Sequence, residues 1–211
     1  AEAEALRWFH GLSPDHVPEP LAVIESFNAV VLPRATQPSP DLRQVLLEDP
    51  TGISPALGAG IGGLLALWHQ SDPSEAKGTV LDEYSRLISL RVDPFYRNMA
   101  TKWTEYAGLI VEAANELLET SHAVIHGDFT PKNMLVLGDG FWVIDTETAH
   151  IGHPVLDTAS MQAHLLLKES HHRDDESKTQ AVREFRVAFD EALFSGFVPA
   201  VRRMREVLDR A

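Results

Sequence analysis

Ala123-Val124-Ile125-His126-Gly127-Asp128-Phe129-Thr130-Pro131-Lys132-Asn133 runs from a short apolar strand straight into a cluster of polar side chains. Two apolar runs follow, 134–137 and 141–144, flanking Gly138-Asp139-Gly140, the composition of a tight hairpin turn. The second run leads into Asp145-Thr146-Glu147. Acids at the ends of two neighbouring apolar strands converge on one spot, where they repel unless a cation or an acid–base task uses them. The expectation is that Asp128, Asp145 and the carboxamide of Asn133 gather around one divalent ion.

Phosphoryl transfer calls for these parts. One carboxylate orients the attacking hydroxyl and accepts its proton, while an amide oxygen and a second carboxylate hold Mg2+ on the nucleotide phosphates. Asp128 followed by Asn133 matches the Asp-x-x-x-x-Asn spacing of a kinase catalytic loop. Asp145, across the hairpin, stands where the second metal ligand belongs.

The stretch from His126 to Val136 resembles the catalytic loop of aminoglycoside phosphotransferase and choline kinase-like small-molecule kinases. Ile144-Asp145-Thr146-Glu147-Thr148-Ala149, then Gly152-His153-Pro154-Val155-Leu156-Asp157, is similar to their metal-binding segment and its continuation. Glu2-Ala3-Glu4-Ala5-Leu6-Arg7-Trp8-Phe9 is similar to the small-lobe helix whose glutamate pairs with the phosphate-binding lysine, and Glu2 aligns with that glutamate. Val30-Val31-Leu32-Pro33-Arg34-Ala35 resembles the strand entering the hinge, where Val31, Leu32 and Pro33 would meet the adenine. Leu64-Leu65-Ala66-Leu67-Trp68-His69 resembles the first large-lobe helix, and Leu90-Arg91-Val92-Asp93-Pro94-Phe95-Tyr96 is similar to a segment of some uncharacterised members.

This resemblance implies an α+β, protein-kinase-like fold. Residues 36–211 would be a mostly helical C-terminal lobe with a short β-hairpin at the active site, and 1–35 a partial N-terminal, nucleotide-binding lobe with its hinge. It implies Mg2+- and ATP- (or GTP-) dependent transfer to a small-molecule hydroxyl, with Asp128 as base or orienter, Asn133 and Asp145 as metal ligands, and Glu2 fixing a lysine. Two departures stand out. His153 replaces an acid common among members, and neither a glycine-rich loop nor a strand lysine precedes Glu2, so further upstream sequence is expected. Two rivals stay open: a pseudokinase or binding module without turnover, and a metal-dependent phosphohydrolase using Asp128, Asp145 and nearby histidines.

Other residues near the motif carry less. His126 reads as a structural histidine bracing the loop, and Lys132 as a solvated lysine, with an approach to the transferred phosphate as its alternative. Glu147 reads equally as support or as a substrate contact. Asp157 reads as a helix N-cap first and a loop brace second. Zinc-type spacing is absent among the histidines.

Further from the motif, helices are expected over 2–11, 55–69, 102–119, 157–168, 178–194 and 198–210, with strands over 21–24 and 29–32 and a proline-rich connector over 33–41. Gly58, Gly60, Gly62 and Gly63 fall inside one helix, which suggests close helix packing. Stripes at helical spacing read as core: Tyr106, Leu109, Ile110, Ala113 and Leu117; Val182, Phe185, Phe189 and Leu193; Val201, Met204 and Leu208.

Apolar residues make up 44% of the 211, a globular composition. Eighteen basic against 31 acidic side chains give a net charge of −13, which argues against nucleic-acid or anionic-membrane partners and favours, weakly, an amine-bearing alcohol as substrate. With no cysteine, disulfides, zinc-thiolate sites and thiol nucleophiles are out. No apolar run is long enough to span a bilayer, and a cytoplasmic location is expected. Oligomeric state is left open.

Overall fold

A helical layer and three two-stranded antiparallel ribbons make up the computed structural model, which describes residues 2–35, 39–83, 85–119 and 122–196. In chain order α1 (Glu2–Leu12) leads to a ribbon of β1 (Ala22–Ile24) and β2 (Ala29–Val31), turned by Glu25–Phe27 and by Asn28 in the left-handed conformation. Helices α2 (Leu42–Glu48) and α3 (Pro55–His69) follow. Both have side-chain caps: Asp41 accepts from Gln44 N at 2.7 Å and Ser54 from Ala56 N at 3.2 Å.

Next comes a helical excursion of α4 (Ser85–Leu87), a π-helical stretch Ile88–Arg97 and α5 (Asn98–Lys102), then α6 (Ala107–Glu119). No periodicity in the sequence marks the stretch as π-helical. It contains Pro94, which has no amide hydrogen and whose ring crowds the preceding turn of a normal helix; a wider coil relieves that crowding. The expected helix over 102–119 starts instead at Ala107, after a 3-10 turn at Thr104–Tyr106. Of its expected core stripe only Leu117 is buried: Ile110 is half-buried, Ala113 is exposed in favour of its neighbour Ala114, and Leu109 is 68% and Tyr106 51% exposed. Periodicity marks an apolar face but does not say what covers it.

The remaining strands are β3 (Ala123–Ile125), β4 (Met134–Leu137), β5 (Gly140–Val143) and β6 (His150–Gly152). β4 and β5 form the expected hairpin, Met134 opposite Val143 and Leu137 opposite Gly140. β3 does not join it. It pairs with β6, Ala123 opposite Gly152 and Ile125 opposite His150. A three-residue strand such as β6 is too short to show a period and leaves no mark in the sequence.

Helices α7 (Val155–His171) and α8 (Glu176–Gly196) complete the described residues and overrun their expected ends by two or three residues. The expected helix over 198–210, with Val201, Met204 and Leu208, lies outside the described residues. The stripe Val182, Phe185, Phe189 and Leu193 on α8 is fully buried against α3. That approach is close because Gly58 and Gly62 face it: a Cβ at either would collide with the carbonyl of Phe185 or Phe189.

Leu6 and Phe9 of α1, Leu65 and Trp68 of α3, and Met161 and Leu165 of α7 share the main core with α8. A second core holds Leu87, Val92, Leu117 and Leu156. β3 lies between the two, with Val124 in the first and Ala123 and Ile125 in the second. Alternating side chains thus anchor both faces of the strand that delivers the polar loop.

Candidate active site

The loop leaves β3 at His126 and must turn at once. Gly127 does so at φ +77°, and a Cβ there would stand 2.5 Å from the Thr148 carbonyl oxygen, so only glycine fits. Thr148 Oγ1 in turn donates to the His126 carbonyl at 3.0 Å.

His126 is fully buried. Its Nδ1 accepts from Asp128 N at 3.2 Å, which puts the ring proton on Nε2, donating to the Ile144 carbonyl at 3.1 Å. Ile144 N donates to the Asn133 carbonyl at 2.9 Å. One imidazole therefore couples the start of the loop to the residue just before Asp145.

Asp157 corrects its first reading. α7 begins two residues earlier, and its first amide, Val155 N, is satisfied by His153 Nδ1 at 3.0 Å. Asp157 instead points inward and is fully buried, accepting from His126 N and Gly127 N at 2.8 Å each, with His69 Nε2 at 3.4 Å. Burial alone would raise its carboxyl, but the bonds from His69 and from the His126 backbone hold it below the usual carboxylate range. The helix start and the loop brace are separate jobs done by separate residues.

Asp128 sits at the centre of a charged cluster. Arg91 Nη2 lies 2.7 Å from Oδ1, and Lys132 Nζ lies 2.8 Å from Oδ2. Asn133 Nδ2 donates to Oδ2 at 3.1 Å and to the Asp128 carbonyl at 2.9 Å. Burial pushes this carboxyl up, but the Lys132 bond, the Arg91 and Lys132 charges and the Asn133 bond outweigh it and keep the group ionised below its ordinary value. A carboxylate has about four acceptor positions, and three are filled. The position left is on Oδ1, beside Arg91. Lys132, expected as a solvated side chain, is ion-paired here.

Arg91 is the residue the sequence did not single out. It comes from the π-helical stretch, and its Nε also donates to the Gly127 carbonyl at 3.2 Å. Nothing in linear spacing links it to Asp128; the signal the sequence offers is the family-like segment 90–96 that contains it, which has a specific meaning only in three dimensions.

Asp145 adopts φ +63°, a left-handed conformation that is uncommon for a residue other than glycine and that clusters at functional sites. Thr146 after it is buried, and its Oγ1 reaches the Glu2 carbonyl at 3.4 Å, so the first turn of α1 abuts this segment. Glu147 lies exposed on the following turn, and Val31, Leu32 and Pro33 lie at the end of the β1–β2 ribbon.

The donor set suits a hard divalent cation. Asn133 uses its Nδ2 for both side-chain bonds, which leaves Oδ1 as a candidate ligand, and the bond from Ile144 N to the Asn133 carbonyl brings the residue before Asp145 alongside. Among the described residues no group of three or more histidines and acids forms a self-contained metal centre. A partial shell of this kind fits Mg2+, which keeps most of its coordination for water and phosphate oxygens.

Known proteins resemble the chain in sequence and in fold. The sequence is 26% identical over 220 residues to methylthioribose kinase 1 of Oryza sativa subsp. japonica, covering 87% of this chain and 50% of the relative. The chain thus spans about half the length of that curated relative. Its structure is similar to the crystal structure of a choline/ethanolamine kinase family protein from Mesorhizobium loti, with a TM-score of 0.51 at 17% identity, covering 92% of this chain and 67% of the other. The fold is accordingly the protein-kinase-like α+β fold of the choline kinase type. The profile of the phosphotransferase enzyme family matches residues 1–207, and the chain belongs to that family.

Proposed function

We propose that the chain carries the catalytic machinery of an ATP- or GTP-dependent phosphotransferase acting on a hydroxyl of a small molecule. The reading rests chiefly on the 3.1 Å bond from Asn133 to an Asp128 carboxylate already paired with two cations. A carboxylate held ionised in this way orients an incoming hydroxyl and takes up its proton as the new bond forms. Its Oδ1 has the acceptor position for that contact. Asn133 Oδ1 and Asp145 would hold Mg2+, which when bound neutralises charge on the phosphates. Glu2 would fix the nucleotide lysine, and Val31, Leu32 and Pro33 would line the adenine side. Residues 1–35 would then belong to the nucleotide lobe and hinge, and 36–211 to the catalytic and substrate lobe. His126 and Asp157 hold the loop's shape, and Lys132 assists at the carboxylate. The names of the rice methylthioribose kinase and of the choline/ethanolamine kinase family protein support a small-molecule acceptor. A cytoplasmic location belongs to the same reading; among the described residues no helix is long and apolar enough to cross a membrane.

The test is transfer of label from γ-labelled ATP or GTP, with Mg2+, to a panel of polyols and amino alcohols. Asp128→Asn is expected to lower transfer by about 10²- to 10⁴-fold while nucleotide affinity holds. Asp145→Ala is expected to weaken metal–nucleotide binding instead. Transfer unaffected in the Asp128 variant, or phosphate released to water at the same rate without any alcohol, contradicts the proposal.

A further inference from the structure

Beside the Asp128 cluster the chain gathers positive charge that its own acids leave unmatched. Lys168 of α7 is only 8% exposed, yet among the described residues it forms no ion pair. Lysines rarely lie this deep without a partner. One turn earlier on the same face, His164 has a buried Nδ1 with no hydrogen-bond partner. Burial lowers the pKa of His164 first, and the charges of Lys168, Lys132 and Arg43 lower it further, with Asp128 alone opposing them. Lys168 is lowered by burial and then by Arg43. These side chains come from neighbouring elements: α2 lies along the end of α7, where His172 Nε2 donates to the Leu46 carbonyl at 2.8 Å, and the Pro131–Asn133 turn of the Asp128 loop packs on α2.

The acids at hand are already taken. Asp128 is bridged by Arg91 and Lys132, and Asp41 lies 3.5 Å from the Arg43 guanidinium. Lys168 and His164 remain, with Asp128, Lys132 and Arg43 near enough to bear on the His164 ring. In a chain of net charge −13 this is a local reversal of sign. Near charges decide recognition, because salt screens the rest of the surface beyond about 8–10 Å.

We propose that Lys168, His164 and Arg43 form a subsite for a compact oxyanion, a carboxylate or a phosphate, carried by the acceptor whose hydroxyl meets Asp128. This rests on the phosphotransferase reading of Asp128 and adds the acceptor's charge to it. The amine-bearing acceptor suggested by net charge would meet Lys168, Lys132 and Arg91 instead, so the local field selects against it.

Inorganic phosphate and acetate, each against chloride at equal ionic strength, probe the subsite in thermal melts of the purified chain without nucleotide. An anion that fits is expected to raise Tm by roughly 2–4 °C once it exceeds its Kd about tenfold. The two arms tell a phosphate subsite from a carboxylate one. Lys168→Met should abolish the rise while itself melting no lower than wild type in chloride, since the buried stem keeps its volume and no ion pair is lost. Arg43→Gln, a half-exposed position that poses no folding risk, should weaken the anion at least threefold. No rise with either anion, an equal rise in Lys168→Met and Arg43→Gln, or loss of nucleotide binding in Lys168→Met would each overturn the proposal. The failure of the parent reading looks different: a Lys168-dependent rise with no phosphoryl transfer to any alcohol leaves the anion subsite standing and removes the transferase.

Discussion

At the residue scale Asp128, the proposed base, is shaped by a neighbour that linear sequence hides. Asp128 and Asn133 are legible because their separation is fixed by one short loop, whatever surrounds it. Arg91 is not, because its meeting with Asp128 depends on how a π-helical stretch is folded back. Asp157 shows the same limit differently: an acid at the start of a helix reads as a cap, and only the coordinates show it turned inward to hold His126 N and Gly127 N. The Arg91 contact predicts a measurable effect. Its guanidinium is one of the charges that hold the Asp128 carboxyl low, so Arg91→Met should raise that pKa. The acid limb of the kcat/KM profile should then begin at a higher pH, and kcat should fall about 10- to 100-fold as orientation is lost. Arg91→Lys should recover only part, since a point charge cannot serve Oδ1 and the Gly127 carbonyl with one rigid fork. Titration of the Asp128 side chain by carbon NMR reads the shift directly. An unmoved titration in Arg91→Met would mean that Arg91 does not set the base.

At the element scale, α3 and α8 carry the clearest contrast between what a sequence says and what packing decides. Four glycines in one helix read alike, each about 1 kcal/mol worse than alanine in isolation. The structure separates them. Gly58 and Gly62 face α8 at a distance that admits no Cβ, whereas a Cβ on Gly63 would meet nothing within 4 Å. Gly62→Ala should therefore lower stability by about 1–3 kcal/mol through overpacking. Gly63→Ala should raise it by about 0.5–1 kcal/mol, the ordinary gain for a helix interior. Urea unfolding of the two variants decides the matter, and equal effects would mean that the helices do not cross at Gly62. The same reasoning explains which elements were legible. α3 carries a side-chain cap and α8 a sustained apolar stripe, and both are long, so their positions follow from local rules. β6, three residues long, and the π-helical stretch around Pro94 are made by their tertiary partners.

At the scale of the whole molecule the titrating groups act together, and their signs agree. Burial lowers the pKa of His150, His153 and His164, and neighbouring charges modify that shift without reversing it. His153 has a further reason to stay neutral, since its Nδ1 accepts from the first amide of α7. For each of the three the unfolded chain takes up a proton near the ordinary value of about 6.5, while the folded chain does not until lower pH. The unfolded state thus binds more protons as pH falls below that value, and stability is lost by up to about 1.4 kcal/mol per pH unit for each group. The net charge of −13 works in the opposite sense, because protonating carboxylates relieves repulsion in the folded state. That relief begins only near the ordinary carboxylate pKa of about 4, so between pH 7.5 and 5.5 the histidines decide. The urea midpoint should therefore fall over this interval in a buffer free of phosphate. The decline should persist in 0.5 M chloride, because burial is not screened by salt whereas surface repulsion is. A midpoint that stays level or rises as the pH is lowered would show that these three rings are not held neutral by the fold.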